Sequence, residues 1–97
     1  MSISKVYKND IGTKIILDAG CNISAATVLK ILYSKPGKTR AEGEWEAEAE
    51  GTNSAKYFTK EGDLNAVGKW NIQLYIESPT WTGFGEIVVF EVYDNLD

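Results

Sequence analysis

The chain has 97 residues, of which 43% are hydrophobic and 25% charged, and this composition is typical of one globular domain spanning residues 1–97. Its formal net charge of −4 argues against general nucleic-acid binding, which depends on cations that neutralise phosphates. The sequence has no histidine, which removes the commonest general base and most transition-metal ligand sets, so we expect no enzyme, no metal site and no cofactor.

An alternation of apolar and polar residues, the period of a β-strand, dominates the chain. Glycine and proline interrupt this alternation at short intervals and mark the turns. In chain order, strands are predicted at residues 5–8, 13–18, 26–34, 43–50, 54–59, 69–77 and 85–93. About seven short strands at this spacing predict an all-β, immunoglobulin-like antiparallel β-sandwich.

The alternation also predicts which side chains fill the core. Those expected to face it are Leu29, Ile31, Trp45, Trp70, Ile72, Leu74, Ile76, Val88, Phe90 and Val92. Leu64 and Val67 are expected to close the bottom of the sandwich. Cys21 and Ile23 are expected to cap the connection between the second and third strands. The lone Cys21 cannot form an internal disulfide, and without a histidine to activate it we expect a small buried apolar residue.

The N-terminal stretch MSISKVYKND has no apolar segment of the kind found in signal peptides, and the longest apolar runs are short. We therefore expect neither a signal peptide nor a membrane span. Together with the unpaired cysteine, this favours synthesis in a reducing cytoplasm.

Two charged stretches stand out. The strand at 43–50 carries four glutamates about 7 Å apart on one face: Glu44, Glu46, Glu48 and Glu50. Such a row protects a sheet edge from aggregation, and this interpretation is favoured over a calcium site because alternate positions on one strand rarely converge on an ion. The basic stretch SKPGKTR, with Lys35, Lys38 and Arg40, is interpreted as a solvated loop tip.

Several apolar residues are not needed for the core. Lys30 is expected to be exposed, and the last strand is expected to keep Glu91 on its outer face. If the third, sixth and seventh strands form one sheet, its outer face carries one patch: Val28, Leu32, Tyr75, Ile87, Val89 and Tyr93. A patch of this kind on a small domain indicates a protein partner. The alternative is that a terminal segment or an extra strand covers it.

The loop ESPTWTGFGE holds two large aromatic residues among small and turn-forming ones. Trp81 lies at the predicted tip, and tryptophan often dominates binding energy. We therefore expect Trp81 to anchor a neighbouring subunit, with Thr80, Thr82 and Phe84 around it. The alternatives are that Trp81 covers the core or stacks on a sugar. Phe84, closest to the last strand, is expected to fold over the end of the sandwich as a plug.

Three segments, DAGCNISAATVLKILYSKPGK, KYFTKEGDLNAVGKWNIQLYIE and GEIVVFEVYD, resemble small immunoglobulin-like proteins encoded in the structural gene clusters of tailed phages and prophages. The similarity covers roughly residues 11–94 and extends to the N-terminal immunoglobulin-like domain of phage baseplate upper proteins. The resemblance implies a non-enzymatic virion protein, made in the bacterial cytoplasm, that packs against other virion subunits or its own copies. Baseplate upper proteins continue into long C-terminal regions, so tail, baseplate, neck and capsid positions remain alternatives.

A carbohydrate-binding module that contacts host surface glycan is the alternative function. Small β-sandwiches bind sugars through exposed aromatic rings, here Trp81 with Tyr75 or Phe84. The polar groups that such a site needs beside the rings would come from Thr80, Thr82 and Asn71.

Overall fold

A computed structural model describes residues 6–38 and 40–95. It contains eight strands: β1 (Val6–Tyr7), β2 (Lys14–Asp18), β3 (Val28–Ser34), β4 (Gly43–Glu46), β5 (Glu48–Glu50), β6 (Ser54–Phe58), β7 (Gly68–Glu77) and β8 (Thr82–Tyr93). All predicted strands are present, and only the one at 43–50 is divided. Lys5, predicted to begin the first strand, lies outside the described residues.

The strands form two sheets, one five-stranded with the order β1-β8-β7-β3-β4 and one three-stranded with the order β2-β6-β5. Their inner faces share one hydrophobic core, which is the arrangement of a β-sandwich. The predicted all-β architecture is therefore confirmed. The five-stranded sheet is mixed rather than fully antiparallel, because β1 pairs with β8 in parallel. No helix long and apolar enough to cross a membrane occurs in residues 6–38 and 40–95.

The segment 43–50 crosses from one sheet to the other at Ala47. Its first half, β4, pairs with β3, and its second half, β5, pairs with β6. Ala47 N–H still donates to Leu29 O at 2.9 Å, and the chain then leaves β3. The expectation of four glutamates on one face is wrong, since two lie on each sheet. The predicted edge position is confirmed, because β4 and β5 each end a sheet.

Aromatic rings from both sheets meet in the core. Trp45 stacks between Tyr33, at 4.6 Å between centroids, and Tyr57, at 4.9 Å. Trp70 is fully buried, and its Nε1–H donates to the Ala66 carbonyl at 3.0 Å. The other predicted core residues are buried except Leu29 and Phe90, which are partly buried against the core, and Val88. The core therefore consists of stacked aromatic rings flanked by aliphatic residues from strands of both sheets and from two loops.

Two loop predictions are half correct. Leu64 is fully buried, but Val67 is exposed, because Ala66 packs against the core and turns its carbonyl to Trp70. Ile23 is buried as expected, whereas Cys21 is exposed. Cys21 directly follows a turn in which Gly20 N–H donates to Asp18 Oδ1 at 2.8 Å.

Candidate interaction face

The outer face is the side of the five-stranded sheet that points away from the core. Cross-strand pairing aligns its side chains in rows. One row joins Lys30, Tyr75 and Phe84, the next joins Leu32, Gln73 and Ile87, and the third joins Ser34, Asn71 and Val89. The predicted strands at 26–34, 69–77 and 85–93 correspond to β3, β7 and β8. Their predicted grouping in one sheet is therefore confirmed. We define the central apolar patch by its five members: Leu32, Tyr75, Phe84, Ile87 and Val89.

A β-bulge in β8 brings Phe84 onto this face. Tyr75 pairs with Phe84 in the β7–β8 ladder. Gln73, two residues earlier in β7, pairs with Ile87, three residues later in β8. The extra residue lies at the bulge after Phe84, where Gly85 O accepts a hydrogen bond from Gln73 Nε2 at 2.9 Å. Phe84 and Ile87 consequently face the same way, and the expectation that Phe84 plugs the end of the sandwich is wrong.

Three members of the central apolar patch are strongly exposed. The exposed fractions are 57% for Phe84, 64% for Ile87 and 56% for Val89. Leu32 and Tyr75 are half-buried between them, and the Tyr75 and Phe84 rings lie 5.3 Å apart. Adjacent exposed apolar side chains on one sheet face are typical of a binding surface.

The remaining predicted patch residues lie at its margins. Val28 is at the end of β3, in the row of Glu77 and Thr82. Tyr93 lies at the other end of β8, beside Tyr7 at 6.2 Å between centroids. A charged pair, Lys69 with Glu91, separates Tyr93 from the central apolar patch.

The edge of β8 explains why Val88 is exposed instead of facing the core as predicted. The short β1 pairs only with Val92 and Tyr93. Within the described part of the chain, no other strand pairs with that edge of β8. Ile87, Val88 and Val89 are therefore exposed on both sides of the strand. The pairing pattern could not be read from alternation, which assigns faces but not neighbours.

The hairpin tip holds Trp81 on a different side from Phe84. Ser78 and Trp81 close a tight turn through two backbone hydrogen bonds of 2.7 and 3.3 Å, with Pro79 at its second position. The Trp81 indole lies across Gly83, where a Cβ would collide with it. Gly83 pairs with the buried Ile76 and so faces the inner side. Phe84, one residue later, faces the outer side.

The predicted cluster at the hairpin is therefore divided. Thr82 alternates with Gly83 and shares the outer side with Phe84, while Thr80 is exposed at the turn. Trp81 is exposed by 45%. It does not form one platform with Tyr75 and Phe84, as a shared sugar-stacking site would require.

Polar contacts orient two side chains on the part of the outer face next to β4. Lys30 Nζ lies 2.7 Å from Glu44 Oε2, and this hydrogen bond and charge raise the pKa of Lys30. Tyr75 O–H donates to Glu77 Oε2 at 2.6 Å, which, with burial, raises the pKa of Tyr75. Both side chains are thus oriented by neighbours within the sheet.

A groove that sequence reasoning missed adjoins the patch. It has a volume of about 380 Å³ and is lined by Leu32, Ser34, Lys38, Arg40, Gln73 and Ile87, among others. Lys38 and Arg40 are exposed, as expected of a solvated loop tip, and they also line this groove together with Leu32. The sequence signal for this groove was the cluster of basic residues. Only folding places that cluster next to apolar side chains.

No group of three or more Cys, Asp or Glu in residues 6–38 and 40–95 is placed to hold a metal ion.

Comparisons with protein-family models, curated proteins and solved structures found no match to this chain.

Proposed function

We propose that this chain is a non-enzymatic, immunoglobulin-like structural module of a tailed-phage or prophage particle that packs against other virion subunits. The observation that carries the proposal is the central apolar patch, in which Phe84, Ile87 and Val89 are more than half exposed. Burying such side chains against a partner is favourable by roughly 25 cal/mol per Å². The resemblance to phage structural proteins supports the virion as the setting.

The interface extends from the central apolar patch to its margins. Val28 and Thr82 border Phe84 at one end, and Tyr93 continues the aromatic surface at the other. Trp81 and Thr80 at the hairpin tip contact a second surface of the partner, because Trp81 lies toward the other side of the sheet. A domain with both surfaces engaged suits an assembly in which each subunit has several neighbours.

Particle incorporation tests the proposal. A tagged chain is expressed together with the other genes of its cluster, and intact particles are separated on a density gradient. The tagged chain is expected in the particle fraction. Ile87→Ser with Val89→Ser is expected to move it to the soluble fraction. The matched control, Ile16→Ser with Phe58→Ser, changes two half-exposed apolar residues on the three-stranded sheet and is expected to leave incorporation intact.

Two results would contradict the proposal. One is a chain that never enters the particle fraction although it is folded. The other is particle binding that survives in the Ile87→Ser, Val89→Ser variant and is abolished by free host glycan, which would favour the carbohydrate-binding alternative.

A further inference from the structure

The groove beside the central apolar patch combines apolar walls with unpaired cations. Leu32 and Ile87 provide apolar lining, and Lys38 and Arg40 lie in the same groove. The chain has a formal net charge of −4, so this is a local reversal of its overall sign. Among the described residues, neither Lys38 nor Arg40 forms a salt bridge, whereas Lys14, Lys30 and Lys56 all do.

The loop that carries the cations is fixed to the sheet. Lys35, Pro36, Gly37 and Lys38 form a turn closed by a 3.1 Å hydrogen bond from Lys38 N–H to Lys35 O, with positive φ at the glycine. Pro36 packs on Gly68 at the start of β7, where a Cβ would collide with it.

The other end of the loop is also bonded to the sheet. Glu42 N–H donates to Tyr33 O at 2.8 Å, and Lys35 N–H donates to Glu42 Oε1 at 2.8 Å. Lys35, Pro36 and Glu42 thus hold the residues on either side of the two cations to the sheet.

We propose that this groove binds an acidic, apolar peptide segment of a partner protein, with carboxylates at Lys38 and Arg40 and apolar side chains against Leu32 and Ile87. This inference rests on the proposed interaction function and specifies its partner. Charge complementarity selects the carboxylates, because two neighbouring cations attract them together and arginine offers a bidentate donor pair.

The shape and continuity of the groove favour a peptide over an isolated small molecule. Ile87 belongs both to the groove and to the exposed central apolar patch, so a longer ligand can continue onto Phe84 and Val89. Asn71 and Gln73 also line the groove and present side-chain amides between its apolar residues. Their Nδ2 and Nε2 groups already donate to Ser34 Oγ and Gly85 O, which leaves the amide oxygens as acceptors for backbone N–H groups of an extended segment.

The test uses two capped hexapeptides titrated into the isotopically labelled chain and followed by backbone amide NMR shifts. One peptide alternates glutamate or aspartate with leucine or isoleucine, and the other replaces each acid by lysine. The acidic peptide is expected to shift the amides of Leu32, Asn71 and Ile87, and to bind more weakly as salt concentration rises. The lysine peptide is expected to leave them unchanged.

Charge reversal tests the cations directly. Lys38→Glu with Arg40→Glu is expected to weaken binding of the acidic peptide by about tenfold or more. The control, Lys14→Glu with Lys60→Glu, makes the same change in net charge away from the outer face and is expected to alter binding by less than about twofold. Unchanged amide shifts elsewhere in each variant confirm that it folds.

Several outcomes would overturn the inference. These are no shift up to millimolar peptide, equal binding of both peptides, equal weakening by the two charge-reversal variants, or perturbation confined to another surface. A concentration-dependent mass in sedimentation, lost in the Lys38→Glu, Arg40→Glu variant, would identify a second copy as the occupant instead. If particle incorporation needs Ile87 and Val89 but tolerates Lys38→Glu with Arg40→Glu, the proposed function stands and this inference alone fails.

Discussion

The Trp81 indole packs against the backbone of Gly83. The side chain remains 45% exposed, so folding leaves much of its apolar area available to a partner. We therefore expect Trp81 to contribute more to binding than to folding.

We expect Trp81→Ser to lower the free energy of unfolding by less than about 1 kcal/mol, as for substitutions outside the core. Incorporation into particles is expected to fall strongly per folded molecule. Urea denaturation and gradient fractionation measure the two effects, with Phe58→Ser as the control for a half-exposed aromatic on the other sheet. A loss of several kcal/mol with normal incorporation would show that Trp81 only supports the fold.

Tyr57 links stability to alkaline pH. Its phenol is held between the core and Asp63, whose Oδ2 accepts the Tyr57 O–H and also accepts Lys60 N–H at 2.7 Å. Burial first, and then this hydrogen bond and the charge of Asp63, raise the pKa of Tyr57 above its usual range. Because the fold favours the protonated phenol, this contribution is complete below about pH 10 and is lost as pH rises toward the folded-state value.

The free energy of unfolding is therefore expected to fall above about pH 10 more steeply in the native chain than in Tyr57→Phe. Urea titrations at fixed pH values measure the slopes. The pKa values of Tyr75 and Lys30 are raised too. Because the native chain and Tyr57→Phe both retain these residues, their contributions to the pH dependence cancel in the difference between the two slopes. Parallel slopes would contradict the assignment to Tyr57.

At the level of elements, β4 and β5 are edge strands of the two sheets. They carry Glu44, Glu46, Glu48 and Glu50. Glu44 is paired with Lys30, and Glu50 with Lys14 and Lys56. Glu46 and Glu48 are exposed, and no salt bridge of the described residues includes them. These two charges are therefore the ones available to repel a second sheet edge.

Glu46→Thr with Glu48→Thr is expected to promote self-association at high concentration while the circular-dichroism spectrum stays that of a β protein. Sedimentation velocity over a concentration series measures the association. The control, Glu61→Thr with Asp94→Thr, removes the same charge outside the strands and is expected to remain dispersed. A monomeric Glu46→Thr, Glu48→Thr variant would show that these charges do not protect the edges.

The alternation of apolar and polar residues predicts the strands well because each sheet has one wet face, as in β7, where Trp70 and Ile72 are buried and Lys69 is exposed. Sheet membership is not contained in that period. Alternation continues through Ala47 although the chain changes sheets there. The crossing depends on contacts with β3 and β6, which lie far away in sequence.

Similar limits apply to the candidate site. Leu32, Ile87 and Val89 are found by counting alternate positions, because no irregularity lies between them and their partners on β7. Alternation alone assigns Phe84 to the wrong face, because the extra residue at the bulge reverses the facing of the β8 residues that precede it. Gly85 is the local hint, because glycine within a strand often marks a bulge. The groove was out of reach, since it forms only when the basic loop folds onto β3.

On the scale of the whole molecule, Trp70 joins the parts of the core. It lies 6.3 Å from Trp45 and 6.0 Å from Phe90 between ring centroids, and its Nε1–H fixes the loop before β7. Trp70→Ala is expected to lower the free energy of unfolding by roughly 3–5 kcal/mol, as large aromatic truncations in cores do. Guanidinium denaturation measures the loss, with Trp81→Ser as the exposed comparison. A loss below about 1 kcal/mol would contradict the central role of Trp70.

The parallel pairing of β1 with β8 sets how the domain responds to a pulling force. Val6 pairs with Val92 and Tyr7 with Tyr93, while Lys8 N–H donates to Tyr93 O at 2.9 Å. Tension that draws the two ends of the chain apart slides these strands along each other, so their hydrogen bonds are loaded together and not opened one by one. Forced extension from the termini should therefore meet higher resistance than extension across the β7–β8 hairpin, whose bonds separate in sequence. The pairing of β1 with β8 thus resists tension along the strands more than tension across them.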